Sequence, residues 1–279
     1  MRDLARLEEE FRQKKNPTPE ERVEFADALA EADRVEEALT HYRIAARQKA
    51  HDTGYRTKLA DAYVLAGQTP SAMREYLAVI KQEPDHPDSR LGLGDVYKQY
   101  GRLKAAIGQY RHAVRCRPNS SLYRFKLAQA YDMAGMTEDA IAEINQAIRC
   151  APHEAFYRFW LGRLYLSKDD LESAVEHFEA AVACAPNDDY YQVRLGVVYY
   201  ALDRLEEALD ALLKAVKLKP RRATYHWLLG DVYRALGQFL EAEIHYERAG
   251  RLDDYDRDYV ARVKQTAGLE EEDECAGQG

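Results

Sequence analysis

Four cysteines and eight histidines are the side chains of this 279-residue sequence best suited to covalent or metal chemistry. Cys116, Cys150 and Cys184 stand 34 residues apart, and Cys275 lies in an acidic C-terminal stretch. Such regular spacing indicates equivalent places on stacked elements, which packed helices would hold roughly 10 Å apart. A disulfide needs Cα atoms within about 7 Å. We therefore expect the three to be unpaired, as small apolar fillers near helix ends, and Cys275 to be a free thiol.

The histidines lack the spacing of a metal site, because neither H-x-x-x-H nor H-E-x-x-H occurs in the sequence. Glycine-rich phosphate loops and the G-x-S-x-G nucleophile turn are also missing. No residue set predicts an active site. We therefore expect a protein that is not an enzyme and that has no catalytic residues, no cofactor and no metal ligands.

Charge and hydropathy narrow the range of partners. The formal net charge is −8, and five of these charges come from the run 270–274, so the rest of the chain is close to neutral. A nucleic-acid-binding surface needs an excess of Lys and Arg, which is missing here. The N-terminus lacks the apolar segment of a signal peptide, and no run approaches the ~18 apolar residues of a membrane span. We expect a cytoplasmic protein that binds neither nucleic acid nor membrane.

A period of 34 residues organises the chain. With Pro19 counted as position 1, position 20 is always alanine, position 8 is always small, and position 11 is tyrosine in every repeat but the first. Positions 4, 7, 8 and 11 mark one face of a first helix, and positions 20, 24, 27 and 28 mark one face of a second, both with helical spacing. Each repeat is therefore predicted to be a pair of helices, with small residues where the two backbones approach. The alanine column is Ala38, Ala72, Ala106, Ala140, Ala174, Ala208 and Ala242.

Helix-stop signals agree with this period. Position 15 is Gly or Asp in every repeat, as at Gly67 and Asp33, and can end the first helix in the left-handed conformation. Proline at position 32, as in Pro84, ends the second helix.

The pattern Leu-(Gly/Ala)-x-x-Tyr, followed by Ala, an aromatic residue, Ala and Pro, resembles the tetratricopeptide repeat (TPR) family over residues 19–256. The resemblance implies an all-α, right-handed α-solenoid of seven 34-residue TPR hairpins with N- and C-terminal capping helices. One departure is position 4, where arginine (Arg22, Arg56, Arg90, Arg124, Arg158) replaces the usual tryptophan. The predicted boundaries are a cap at 1–18, repeats at 19–52, 53–86, 87–120, 121–154, 155–188, 189–222 and 223–256, a cap at 257–268 and an acidic disordered tail at 269–279.

The resemblance also implies a partner-binding groove lined by the first helices, at positions 2, 5, 9, 12 and 13. The early repeats contribute acidic residues there, which would attract a basic flank of the partner, and the later repeats contribute residues for an apolar segment. Packing alone could also explain the aromatic residues, and local helix pairs could explain the acids. The candidates are Asp27, Asp61, Asp95, Phe125, Phe156, Phe159, Arg163, Tyr190, Tyr200 and Trp227.

These observations predict a scaffold or adaptor that binds a peptide or helix of another protein in the groove. Some relatives grip a C-terminal carboxylate with Lys and Asn on their first helices, but position 9 has no Asn here, so that activity is not expected. The alternative is structural self-assembly, in which a second copy of the chain is the partner. An RNA-binding helical repeat is disfavoured by the acidic early repeats.

Overall fold

Helices joined by short turns make up nearly all of residues 4–252, the part of the chain that the computed structural model describes. The helix α1 (Leu4–Arg12) precedes the repeats. The first helices of the repeats are α2 (Pro19–Glu31), α4 (Thr53–Leu65), α6 (Pro87–Gln99), α8 (Ser121–Met133), α10 (Ala155–Leu166), α12 (Asp189–Ala201) and α14 (Ala223–Ala235). The second helices are α3 (Val35–Gln48), α5 (Thr69–Gln82), α7 (Leu103–Cys116), α9 (Thr137–Cys150), α11 (Leu171–Cys184), α13 (Leu205–Leu218) and α15 (Phe239–Gly250).

Two compact units make up the chain, Met1–Ala140 and Ile141–Gly279. In the first unit α2 packs on α3, α4 on α5 and α6 on α7, and in the second α10 packs on α11, α12 on α13 and α14 on α15. Within each unit the second helix of one repeat also packs on the first helix of the next. The predicted all-α architecture of TPR hairpins is thereby confirmed.

The turns inside the hairpins have the left-handed backbone that position 15 predicted. The four glycines at this position have φ between 68° and 74°, and Asp33, Asp169 and Asp203 have φ between 58° and 62°. Aspartate tolerates this region better than most residues with a side chain. The helix-stop signal was therefore readable from the sequence.

Small residues at position 8 allow the two helices of a hairpin to approach closely. A Cβ atom added at Gly94 would lie 2.6 Å from Cε1 of Tyr110, and one at Gly162 would lie 2.7 Å from Cε1 of Phe178. Both distances are shorter than van der Waals contact. The ring at position 24 therefore occupies the space that a larger first-helix residue would need.

From the second repeat onward, the residue at position 4 connects the first helix to the end of the preceding repeat. The side chain there donates a hydrogen bond to the carbonyl oxygen of the residue six positions earlier: Arg90 Nε to Pro84 at 2.9 Å, Arg124 Nε to Pro118 at 2.7 Å, and Arg158 Nη2 to Pro152 at 3.1 Å. In the last repeat His226 Nε2 makes the same bond to Pro220 at 3.1 Å. A polar donor thus replaces the family's tryptophan because it satisfies a carbonyl at a helix end.

The cysteines of the repeats are unpaired, but they are not buried fillers. Each is the last residue of a second helix, where Cys150 and Cys184 are exposed and Cys116 is half-buried. The expectation of apolar filling was wrong because position 30 lies past the last core residue of the helix. Cys275 lies outside the described residues.

The helix α1 packs Leu4, Leu7 and Phe11 against the core of the first repeats, and the Phe11 ring stacks on Phe25 with centroids 4.4 Å apart. The predicted C-terminal cap at 257–268 and tail at 269–279 lie outside the described residues. None of the helices between residues 4 and 252 combines the length and apolar character needed to cross a membrane.

Candidate protein-binding surface

Three aspartates occupy position 9 of the first helices in the first unit. Each accepts a hydrogen bond from the tyrosine of its own second helix: Asp27 from Tyr42, Asp61 from Tyr76 at 2.5 Å, and Asp95 from Tyr110 at 2.7 Å. Burial of the rings and these bonds to carboxylates raise the pKa values of all three tyrosines. The aspartates therefore also hold the hairpins together.

Lysines at position 6 of the following repeat neutralise two of these aspartates. Lys58 Nζ lies 2.8 Å from Asp27 Oδ2, and Lys126 Nζ lies 3.0 Å from Asp95 Oδ1. The residue that would face Asp61 in the same way is Gly92. A Cβ atom there would lie 2.4 Å from Cζ of Tyr76, so the tyrosine takes the space that a lysine would need.

Of the three aspartates at position 9 in the first unit, Asp61 is therefore the one without a lysine partner among the described residues. Within residues 4–252 it forms no ion pair, and it is exposed. Desolvation by the surrounding protein, with the nearby Asp88 and Asp95 carboxylates, raises its pKa although solvent still reaches it. A cationic side chain of a partner would offset the repulsion from these neighbouring carboxylates.

An acidic cleft of about 500 Å³ opens between α2 and α4. The Tyr55 hydroxyl donates a 2.8 Å hydrogen bond to Glu20 at its edge, and this bond raises the pKa of Tyr55 to about 12. Four acids face a single lysine, so the cleft suits a basic side chain. It is lined by Glu20, Val23, Glu24, Asp27, Asp52, Gly54, Tyr55 and Lys58.

Aromatic residues gather on the first helices of the second unit. The Phe159 ring lies 5.3 Å from Phe178 and 5.2 Å from both Tyr190 and Tyr191. Phe159 is only 5% exposed, whereas Tyr190 is 40% exposed. The cluster is therefore a buried ring that supports an exposed one.

Phe156, 41% exposed, provides a second apolar surface on α10. Its ring lies 6.5 Å from Trp160, and the Arg163 guanidinium lies 4.4 Å from the centroid of the same indole. Arg163 is exposed. Such an arrangement presents an aromatic surface with a cation at its edge.

The other predicted contacts are less accessible. Phe125, in the first unit, is 8% exposed, and Tyr200 and Trp227 are half-buried, with Trp227 lying 4.9 Å from the Tyr246 ring. Position 5, expected to line the groove, is buried at both Phe125 and Phe159 because it packs between helices. Position 2 carries the exposed rings instead.

Several residues of these surfaces were not predicted from the sequence, among them Lys58, Lys126, Trp160 and Tyr191. Lysine recurs at position 6, which was a usable signal, but its reach to the aspartate of the preceding repeat depends on how repeats stack. Three acids of the cleft lie on α2 and the fourth, Asp52, directly precedes α4, so no local pattern joins them.

Comparison with known protein families and structures gives a consistent result. Family models described as tetratricopeptide repeat match residues 57–121, 123–189 and 223–255, and one described as TPR repeat matches 196–237. No curated protein sequence matches the chain.

Solved structures resemble the chain in fold. They include a tetratricopeptide repeat protein from Parabacteroides merdae (TM-score 0.59, 13% identity, 90% of this chain and 98% of that one). MamA from Desulfovibrio magneticus RS-1 gives a TM-score of 0.55 at 23% identity (63% and 99%). YrrB, a TPR protein described as having an unusual peptide-binding site, gives 0.53 at 19% identity (64% and 92%). The chain belongs to the tetratricopeptide repeat family, whose fold serves protein–protein interaction.

Proposed function

We propose that this protein is a scaffold or adaptor that binds a peptide or helical segment of another protein on its first helices. The observation that carries the proposal is the pair of exposed aromatic rings at position 2, Phe156 and Tyr190, on the first helices of neighbouring repeats. Large exposed rings lose water-exposed apolar area when a partner covers them, and such residues are enriched at the energetic centres of interfaces.

The second unit would receive the apolar part of a ligand. Tyr190 rests on the buried Phe159 and so keeps its position without a partner, which lowers the entropy cost of binding. Arg163, held over Trp160, could pair with a carboxylate next to the apolar ligand residues. The peptide-binding site of YrrB, a chain of similar fold, supports this use of the repeats.

The first unit would receive a basic side chain. Asp61 has no ion-pair partner within the described residues, and the cleft between α2 and α4 holds four acids against Lys58. A lysine or arginine of a ligand would restore the pairing that Lys58 and Lys126 give to the other two aspartates. The two units need not bind the same ligand.

Selection of a displayed random-peptide library on the full-length protein tests this function. Affinity of the selected peptides is then measured by calorimetry for the wild type, Phe156→Ala and Tyr190→Ala, with Glu176→Ala on the second helix α11 as control. Loss of a central aromatic contact costs about 2 kcal/mol, or about 30-fold in affinity. If Glu176→Ala weakens binding while both aromatic variants bind normally, the ligand uses another surface and the proposal fails.

Self-association is the alternative that one observation favours. Phe239, Leu240 and Ile244 on α15 are 70%, 67% and 54% exposed, which is unusual for large apolar side chains close together. If this face pairs with a second copy, sedimentation velocity detects a dimer that Phe239→Ser abolishes. A monomer at all concentrations removes this alternative and leaves the adaptor function.

A further inference from the structure

A cluster of three potential metal ligands lies in the first unit, apart from the surfaces described above. Asp85 belongs to the turn between α5 and α6, and His112 and Cys116 lie in the last turns of α7. Residues four apart on a helix share a face, so the imidazole and the thiol point the same way. The turn before α6 brings the carboxylate to them.

The distances suit a small metal ion. His112 Nε2 lies 2.7 Å from Asp85 Oδ1, Cys116 Sγ lies 4.0 Å from the same oxygen, and all three ligand atoms lie within 4.8 Å of one another. A tetrahedral zinc ion at its usual bond lengths needs ligand atoms about 3.3–3.8 Å apart. The Asp85 side chain is 83% exposed, so a rotation of the carboxylate can open the short distance and close the long one.

We propose that Asp85, His112 and Cys116 form a zinc-binding site with three protein ligands and one open position. Imidazole nitrogen, thiolate sulfur and carboxylate oxygen are the donor atoms of protein zinc sites. On binding, the Cys116 thiol gives up its proton to solvent and the zinc ion takes its place. The fourth position is left to water or to a side chain of a bound protein.

Arg115 opposes the metal. Its Nη2 lies 2.9 Å from His112 Nδ1, and because a guanidinium can only donate, Nδ1 accepts and the imidazole proton is on Nε2, facing Asp85. A zinc ion bound at Nε2 requires this proton on Nδ1 instead, so the Arg115 bond must break. Removal of Arg115 should therefore strengthen zinc binding.

The next two repeats provide internal comparisons. The residues at the three equivalent positions are Asn119, Gln146 and Cys150 in one case, and His153, Ala180 and Cys184 in the other. Neither set has a carboxylate, an imidazole and a thiol together. Repetition of the sequence therefore does not explain the combination at Asp85, His112 and Cys116.

The test uses the full-length protein with Cys150, Cys184 and Cys275 changed to serine, so that Cys116 is the only thiol. Zinc binding is measured by calorimetry, and cobalt is used as a spectroscopic probe, since a thiolate ligand gives a sulfur-to-cobalt charge-transfer band. We expect one ion per chain and a band that Cys116→Ser abolishes. His112→Gln should weaken binding by more than about 100-fold, because even the loss of an outer hydrogen-bond partner costs 10–100-fold. Arg115→Ala should strengthen it.

Circular dichroism provides the folding control for all the variants. Equal zinc affinity in His112→Gln and in its parent would overturn the site, as would a cobalt spectrum without a thiolate band. Weaker binding in Arg115→Ala would overturn the assignment of Nε2 as the ligand atom.

Discussion

Phe159 and Tyr190 touch in the second unit, yet truncation of each should have a different consequence. Phe159 is 5% exposed and contacts three other rings, so Phe159→Ala leaves a cavity and should cost about 3–5 kcal/mol of unfolding free energy. Tyr190 is 40% exposed, so Tyr190→Ala removes less buried surface and should cost about 1.5 kcal/mol or less. The difference of about 2 kcal/mol separates a residue that stabilises the fold from one that is free to bind a partner.

Tryptophan fluorescence measures this difference directly, because both tryptophans of the chain, Trp160 and Trp227, lie in the second unit. With a urea dependence of about 2 kcal/mol per M, the two unfolding midpoints should differ by about 1 M. Phe159→Leu, which keeps much of the apolar volume, should recover most of the loss. Equal midpoints for Phe159→Ala and Tyr190→Ala would refute the division into a supporting and an exposed ring.

Three further predictions address other parts of the molecule. His226 Nδ1 lies 2.9 Å from His245 Nδ1. Burial and the nearby Arg248 lower the pKa values of both histidines, and His226 further lowers the pKa of His245. Because the two histidines then bind protons more readily in the unfolded state, the folded state should have its full stability above about pH 6.5 and lose stability as the pH falls below that value. Thermal unfolding of His245→Phe between pH 5 and 8 should have a weaker pH dependence than the wild type, and an equal dependence would exclude the pair as its cause. Asp61→Asn should slow the association of a selected basic peptide, and reduce the salt sensitivity of its association rate, more than Asp139→Asn at an exposed position on α9. Stopped-flow measurements give these rates. Equal association rates for the two variants would show that Asp61 does not attract the ligand. Deletion of residues 257–279 should increase aggregation on heating, because the seventh repeat would lose its predicted cap, whereas deletion of 269–279 alone should not. Equal light scattering by the two truncated proteins would contradict the cap.

Much of the fold could be predicted because its determinants are local and repeated. Ala106 at position 20 and Gly101 at position 15 each act within one hairpin, so the residues found at the same position in the other repeats are sufficient to identify their roles. The all-α class, the hairpin pairing and the left-handed turns follow from such columns.

The surfaces were harder to predict because they depend on how one repeat lies against the next. Position 5 was expected to face a partner, but Phe159 packs against Phe178 and Tyr191 instead. The helical period gives the spacing of a face and does not say which neighbour covers it.

One of the proposed zinc ligands is far from the other two in the sequence. His112 and Cys116 are four residues apart, and H-x-x-x-C was a readable pair, but Asp85 joins them only through the turn between two repeats. The search for paired histidines therefore did not find this combination, and the calorimetric titration described above decides between the expectation of no metal ligands and the proposed site.

Photo-crosslinking tests the central claim, that a partner binds on the first helices, most directly. A photoreactive benzoylphenylalanine replaces Tyr190 on α12 or, as a control, Glu176 on the second helix α11. Each protein is irradiated in an extract of the cells from which it comes, and crosslinked peptides are identified by mass spectrometry. We predict that one partner protein crosslinks through position 190 and not through 176, and that an excess of the selected peptide prevents it. Crosslinking of a partner at position 176, with none at 190, would contradict binding on the first helices.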